Sequence, residues 1–202
     1  MPPTKDSAPS EGEDEDFQNS TSILSSSGDS QNLKFERADW SLFRTVEGLS
    51  QKAGVPPDKL TSLVLKEIAD NGLDAGARVA VGKLPGDSGY YVEDNGPGID
   101  GTPEAIARLF SISRPMISTK LFRLPTRGAL GNGLRVVAGA VLASEGTLTV
   151  TTRNRRIKLR PEADGTTTVI GTKAVNFPVG TRIEIGFGPA LPCDWDVVPP
   201  RR

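Results

Sequence analysis

Hydrophobic and polar positions divide the chain near residue 34. Residues 1–33 are rich in Ser, Asp, Glu, Gly and Pro and poor in aromatics, too little apolar surface to offset the entropy of ordering, so they read as a disordered acidic tail. From Phe35 onward apolar residues recur at structured periods. WSLFRTVEGLSQKAG predicts a helix with Asp39 as cap and Gly54 as terminator. PPDKL places proline in the first turn of a second helix, which runs through LKEIADNGLDAGA to the Gly76 region. A strand is expected over Arg78 to Lys83, a turn at PGDSG, and a strand at YYVED that runs into the glycines of NGPG. TPEAIARLF predicts a short helix capped by Thr102. SISRPMISTKLFRLPTRGALGNG has no period and many breakers, the profile of a functional lid or a disordered loop. LRVVAGAVLAS resumes as helix, and TLTVTTR, RIKLRP, GTTTVIGTKAV and GTRIEIGF alternate as strands.

This order argues for an α+β fold: a two-layer α/β sandwich whose mainly antiparallel mixed sheet is covered on one face by helices. One domain is expected over 34–190, between the 1–33 tail and a short C-terminal tail over 191–202. No internal repeat is evident.

Composition narrows the chemistry. The 202 residues include no histidine, which excludes a Ser-His-Asp triad, a Cys-His pair, a His-bearing zinc site and a phospho-accepting histidine within the chain. Proton transfer then falls to Asp, Glu, Lys or Tyr. The single cysteine, Cys193, cannot form an internal disulfide, and no apolar run approaches the ~20 residues of a membrane span. The N-terminus also lacks an apolar signal core, so a cytoplasmic protein with no membrane partner is expected. A formal charge of −1 gives no electrostatic support for direct nucleic-acid binding, and EGEDED reads as a solvated run.

The second helix carries the most chemistry. At about 100° per residue, Glu67, Asn71 and Asp74 share a stripe with Leu60, Leu63 and Val64 one turn earlier, so one face begins apolar and ends acidic. That stripe either emerges into water or enters a site that needs a carboxylate, an amide and a second carboxylate in a row. Three glycine clusters bear on the choice. GARVAVGKL departs from a phosphate loop in spacing and in having Leu84 where Ser or Thr is required. GPGIDG satisfies G-x-G-x-x-G after a strand, but no β-α-β alternation follows and Pro97 restricts the turn. RGALGNG is different: Gly128, Gly131 and Gly133 precede a helix whose free N–H groups and positive dipole end point back at the loop, an arrangement suited to an anion or to a simple helix-entry turn.

Taken in order, LKEIADNGLDAGA, VEDNGPGI, STK…TRGALGNGLRVVAGA and GTRIEI resemble the GHKL ATPase superfamily, which includes gyrase-type topoisomerases, MutL-type repair proteins, ninety-kilodalton heat-shock chaperones and histidine kinases. The helix motif looks most like MutL, and the third glycine cluster most like the B subunit of topoisomerase VI. The resemblance implies the Bergerat α/β sandwich, ATP as ligand, Mg2+ as companion ion and an ATP phosphohydrolase activity. It implies that Glu67 is the general base for attacking water and that Asn71 ligates magnesium, which prefers oxygen ligands. It places Asp74 in support, Asp94 on the adenine amino group, and Gly96, Gly98 and Ile99 around the base. It gives Gly128, Gly131, Asn132, Gly133 and Leu134 to the phosphates, with Lys120 and the nearby Arg127 as lid cations, and makes Thr181 an adenine contact.

In the topoisomerase and MutL branches a second domain supplies a lysine to the γ-phosphate. The chain ends shortly after GTRIEIGF, so the resemblance implies a protein partner or homodimer that brings a coupling domain. An ATP-binding switch or degenerate paralogue without useful hydrolysis, and the catalytic half of a protein kinase, remain the alternatives.

Overall fold

A computed structural model describes residues 39–87, 89–114 and 132–191. The first predicted helix is interrupted. Asp39–Arg44 forms a 3₁₀ helix and α1 spans Val46–Ala53. Thr45 divides them because it is extended (φ −127°, ψ 154°) and its hydroxyl accepts from Gly48 N at 3.1 Å. A β-branched hydroxyl residue makes a better N-cap than helix interior, and local capping overrode the continuous apolar period. Gly54 ends α1 in the left-handed region, as expected.

Pro57–Lys59 forms a 3₁₀ turn that leads into α2, Leu60–Asp74. Strands β1, Val79–Lys83, and β2, Tyr90–Asp94, pair as a hairpin. Helix α3 spans Pro103–Leu109, with the Thr102 hydroxyl accepting from Ala105 N, and α4 spans Gly133–Ala143. Then come β3, Thr147–Thr152; β4, Arg155–Pro161; β5, Thr167–Ala174; and β6, Thr181–Gly186.

The strands form one sheet in the order β1-β2-β6-β3-β4-β5. Every pairing among the described strands is antiparallel, so the sheet carries no parallel component there. The placement of β6 between β2 and β3 brings Asp94, Thr181 and Thr152 side by side across three strands. Period two sends Tyr90, Val92, Ile183, Ile185, Leu148, Val150, Ile157 and Leu159 into the core, all buried against Leu60, Val64, Ile68 and the apolar face of α4. On the other face Arg182 donates to Glu93 at 2.9 Å and to Glu184 at 3.0 Å and lies 3.8 Å over the Tyr91 ring. The expected two-layer α+β architecture therefore stands, with apolar residues on the helix side and paired charges on the other.

No helix among the described residues is long and apolar enough to cross a membrane. The predicted 1–33 tail, residues 192–202 of the predicted 191–202 tail and residues 115–131 of the breaker-rich segment lie outside the described residues; Leu191, assigned to the tail, is instead buried in the core.

Candidate functional site

An open cavity of about 240 Å³ lies between α2, α3, the start of α4 and the ends of β2 and β6. Its walls are mostly apolar, from Ile68, Val92, Ile99, Leu109, Phe110, Leu134 and Ile183, with Asn71, Asp94 and Thr181 as the polar side chains. A few fixed polar groups in an apolar cleft suit a flat ligand with apolar faces and a polar edge.

Asp94 is held by the backbone around it. Its Oδ1 accepts from Gly96 N at 2.8 Å and from Thr181 N at 3.3 Å. The first bond closes an Asx turn at the strand end, a habit of Asp before Asn-Gly. Because both bonds use Oδ1, Oδ2 remains the oxygen through which this carboxylate can accept from a ligand. Asn95 secures the same corner, with Oδ1 accepting from Arg78 N at 2.8 Å.

The Pro97–Ile99 wall depends on a residue that the motifs do not contain. Thr152, fully buried, accepts from Ile99 N at 2.9 Å and donates to the Gly180 carbonyl at 3.1 Å. One hydroxyl thereby joins the glycine loop to the turn before β6. Gly98 adopts φ +76°, and a β-carbon there would stand 2.8 Å from that hydroxyl, so conformation and space both require glycine. Beyond the loop, Arg153 pairs with Asp100 at 2.6 Å and Arg155 donates to the Gly101 carbonyl at 2.9 Å.

On α2 and its C-cap, the residues that line the cavity are Ile68, Asn71, Gly72 and Ala75, at positions i, i+3, i+4 and i+7. This face is rotated from the predicted acidic stripe and shares only Asn71 with it. Asp74, half-buried, falls outside the cavity lining. Glu67 also lies outside the lining but beside the start of α4: a β-carbon on Gly133 would come within 2.5 Å of Glu67 Oε2. Burial raises the Glu67 pKa above the usual carboxylate value, Lys66 counteracts it, and Asp70 adds to the rise. Lys66 bonds Asp70 at 2.7 Å, so Asp70 has a partner one turn along the helix.

The structure thus brings Asn71, Asp94, Gly98, Ile99, Leu134 and Thr181 onto one cavity. Gly96 supports it through Asp94, and Gly133 places α4 against Glu67. Asn132 precedes α4 and directs its side chain to Arg135. Lys120, Arg127, Gly128 and Gly131 lie outside the described residues. Sequence reasoning missed Ile68, Gly72 and Ala75, which the i, i+3, i+4, i+7 rule applied from Ile68 would have found. It also missed Thr152, which reads as an ordinary strand position in TLTVTT. Among the described residues no group of three or more acidic or cysteine side chains could hold a metal ion.

No protein-family model matches the chain, and no curated protein matches it. Solved structures do. The N-terminal domain of a DNA repair protein superposes with a TM-score of 0.40 at 21% identity, covering 61% of this chain and 34% of that one. The 43K ATPase domain of Thermus thermophilus gyrase B, solved in complex with an aminocoumarin, superposes with a TM-score of 0.44 at 24% identity, covering 76% of this chain and 42% of that one. The chain therefore spans less than half the length of either structure.

Proposed function

We propose that the chain binds ATP in this cavity and hydrolyses it with Glu67 as general base. The observation that carries the reading is a single one: a backbone-anchored carboxylate, Asp94, stands in an apolar cleft that Leu134 of α4 also lines, and Glu67, outside that lining, lies beside Gly133 at the start of the same helix.

In this reading the apolar walls enclose the adenine ring and Asp94 Oδ2 accepts from its amino group. A fixed acceptor there selects adenine over guanine, since the guanine carbonyl would set two acceptors against each other. The first N–H groups of α4, at Gly133 and Leu134, receive phosphate oxygens, as free helix N-termini do. Glu67, beside Gly133, takes the proton of the attacking water, and its raised pKa makes the carboxylate a stronger base once ionised. The residues fit a magnesium ion bound mainly by phosphate and water: the cavity offers one amide oxygen, from Asn71, and magnesium retains several waters beside triphosphates. When bound, that ion would neutralise phosphate charge. Association with a protein partner or a second copy completes the proposal.

A single-turnover assay tests the hydrolytic part. Glu67→Ala is expected to slow phosphate release by about 10²- to 10⁴-fold, the usual contribution of a general base. Equal release from variant and wild type would overturn it.

A further inference from the structure

Helix α2 carries a glycine where its own stability would favour another residue. Gly72 is buried inside the helix, and its backbone is not in the left-handed region. Glycine is disfavoured against alanine in a helix interior because it has more backbone freedom to lose. No turn or positive φ accounts for it here.

Space does account for it. Val79, the first residue of β1, lies opposite Asp94, the last of β2, and α2 meets this pair at Gly72. A β-carbon on Gly72 would stand 2.8 Å from Val79 Cγ2, 3.1 Å from Asp94 Cβ and 3.7 Å from Asp94 Cγ. Ordinary contact begins at 3.4 Å, so a methyl lacks about 0.6 Å on the valine side and about 0.3 Å on the aspartate side. Val79 packs against the core and is stiff about χ1 because it is β-branched. Asp94 is tied through Oδ1 to Gly96 N and Thr181 N. The stem of Asp94 is thus held by backbone N–H groups through its carboxylate and by the bare Cα of Gly72 on the helix side.

We infer that Gly72 is a positioning residue: its missing side chain lets α2 close on the stem of Asp94 and fixes the depth of that carboxylate in the cavity, which sets how strictly the site selects adenine. The inference rests on the reading of the cavity as an ATP site, and Gly72 acts in it through Asp94. A methyl at position 72 is relieved by turning Asp94 against its two anchors or by lifting the end of α2 from the strands. Either movement changes where Oδ2 meets the base. Hydrogen bonds weaken steeply as their geometry departs from the optimum, so a shift of a few tenths of an ångström costs the acceptor part of its preference for an amino group over a carbonyl. The groups assigned to the phosphates, at Gly133 and Leu134, belong to a different helix.

The test is calorimetry on the full chain with ATP and GTP, each with magnesium, and with adenosine. It compares wild type, Gly72→Ala, Val79→Ala and the double variant. Wild type should prefer ATP to GTP. Gly72→Ala is expected to lower that preference at least about fivefold, part of what losing a hydrogen bond to a charged group would cost. Adenosine should lose affinity by the same factor as ATP, with GTP affinity unchanged. Val79→Ala removes the nearer obstacle but leaves the 3.1 Å contact with Asp94 Cβ. The double variant should therefore fall only about twofold below Val79→Ala in ATP preference, as expected for the smaller displacement. An unchanged preference in folded Gly72→Ala, or a parallel loss for ATP and GTP, would overturn the inference, because Gly72 would then serve packing alone. Should Gly72→Ala fail to fold, the comparison of the double variant with Val79→Ala carries the test: a lower ATP preference in the double supports the inference, and equal preferences overturn it. Wild type that binds no ATP, or binds ATP and GTP alike, would overturn the site reading together with this inference. An ATP preference that the variants leave unmoved overturns this inference alone.

Discussion

Gly133→Ala separates nucleotide binding from chemistry. The added β-carbon would lie 2.5 Å from Glu67 Oε2, whereas ordinary contacts begin at 3.4 Å, so the carboxylate must retreat by about 0.9 Å. The obstacle is the far end of a flexible side chain, and the Cβ and Cδ of Glu67 already stand at 3.5 Å, so the helices need not move. Alanine is also favoured over glycine within helices by up to about 1 kcal/mol. Stability should therefore be unchanged or slightly higher. A displacement near 1 Å at a reacting group can cost about 10²-fold in rate. The expected result is ATP affinity close to that of wild type by calorimetry, an unchanged or raised urea midpoint, and single-turnover phosphate release slower by about two orders of magnitude. Wild-type turnover in a stable variant would refute Glu67 as the base. A stability loss above about 1 kcal/mol would refute the claim that only the carboxylate has to yield.

Two further predictions concern the frame around the cavity and the charge of Glu67. Thr152→Val keeps the side-chain shape but leaves Ile99 N and the Gly180 carbonyl without their shared hydroxyl, so urea unfolding should show a loss of about 1–3 kcal/mol; a change within error would mean that the loop is held by other contacts. Glu67 has a raised folded-state pKa, so its burial disfavours the folded state when it is ionised and ceases to do so as pH falls through that value. Glu67→Gln should accordingly be more stable than wild type at neutral pH, with the advantage vanishing on acidification; an advantage that grows at low pH would contradict the sign.

Legibility in the sequence followed the range of the interactions. Helix α2 and the hairpin of β1 and β2 could be read because apolar period, proline, glycine and Asx turns act within a few residues. The cap at Thr45 was local too, but the continuous apolar pattern on either side concealed it. Asp94 was singled out by the resemblance that VEDNGPGI carries, yet its second anchor, Thr181 N, lies 87 residues away and depends on β6 inserting between β2 and β3. Thr152 was invisible for the same reason: its hydroxyl serves partners 53 and 28 residues distant, while its local pattern is that of any strand threonine. Arg135 drew no reading within LRVVAGAVLAS, and its buried place depends on Phe43 and Ile112, far away in sequence.

The central claim is that this cavity binds ATP through Asp94. Titration calorimetry of wild type and Asp94→Asn with ATP and magnesium addresses it most directly. The asparagine carbonyl can still accept from Gly96 N and Thr181 N, so the turn should persist, while the Oδ2 acceptor becomes an NH2 donor facing the adenine amino group. Loss of a hydrogen bond to a charged group, about 1.5–3 kcal/mol, corresponds to a decrease in affinity of at least about tenfold. The account predicts saturable ATP binding by wild type and that decrease in the variant, with folding intact. Absence of ATP binding by wild type, or equal affinity in Asp94→Asn, would contradict it.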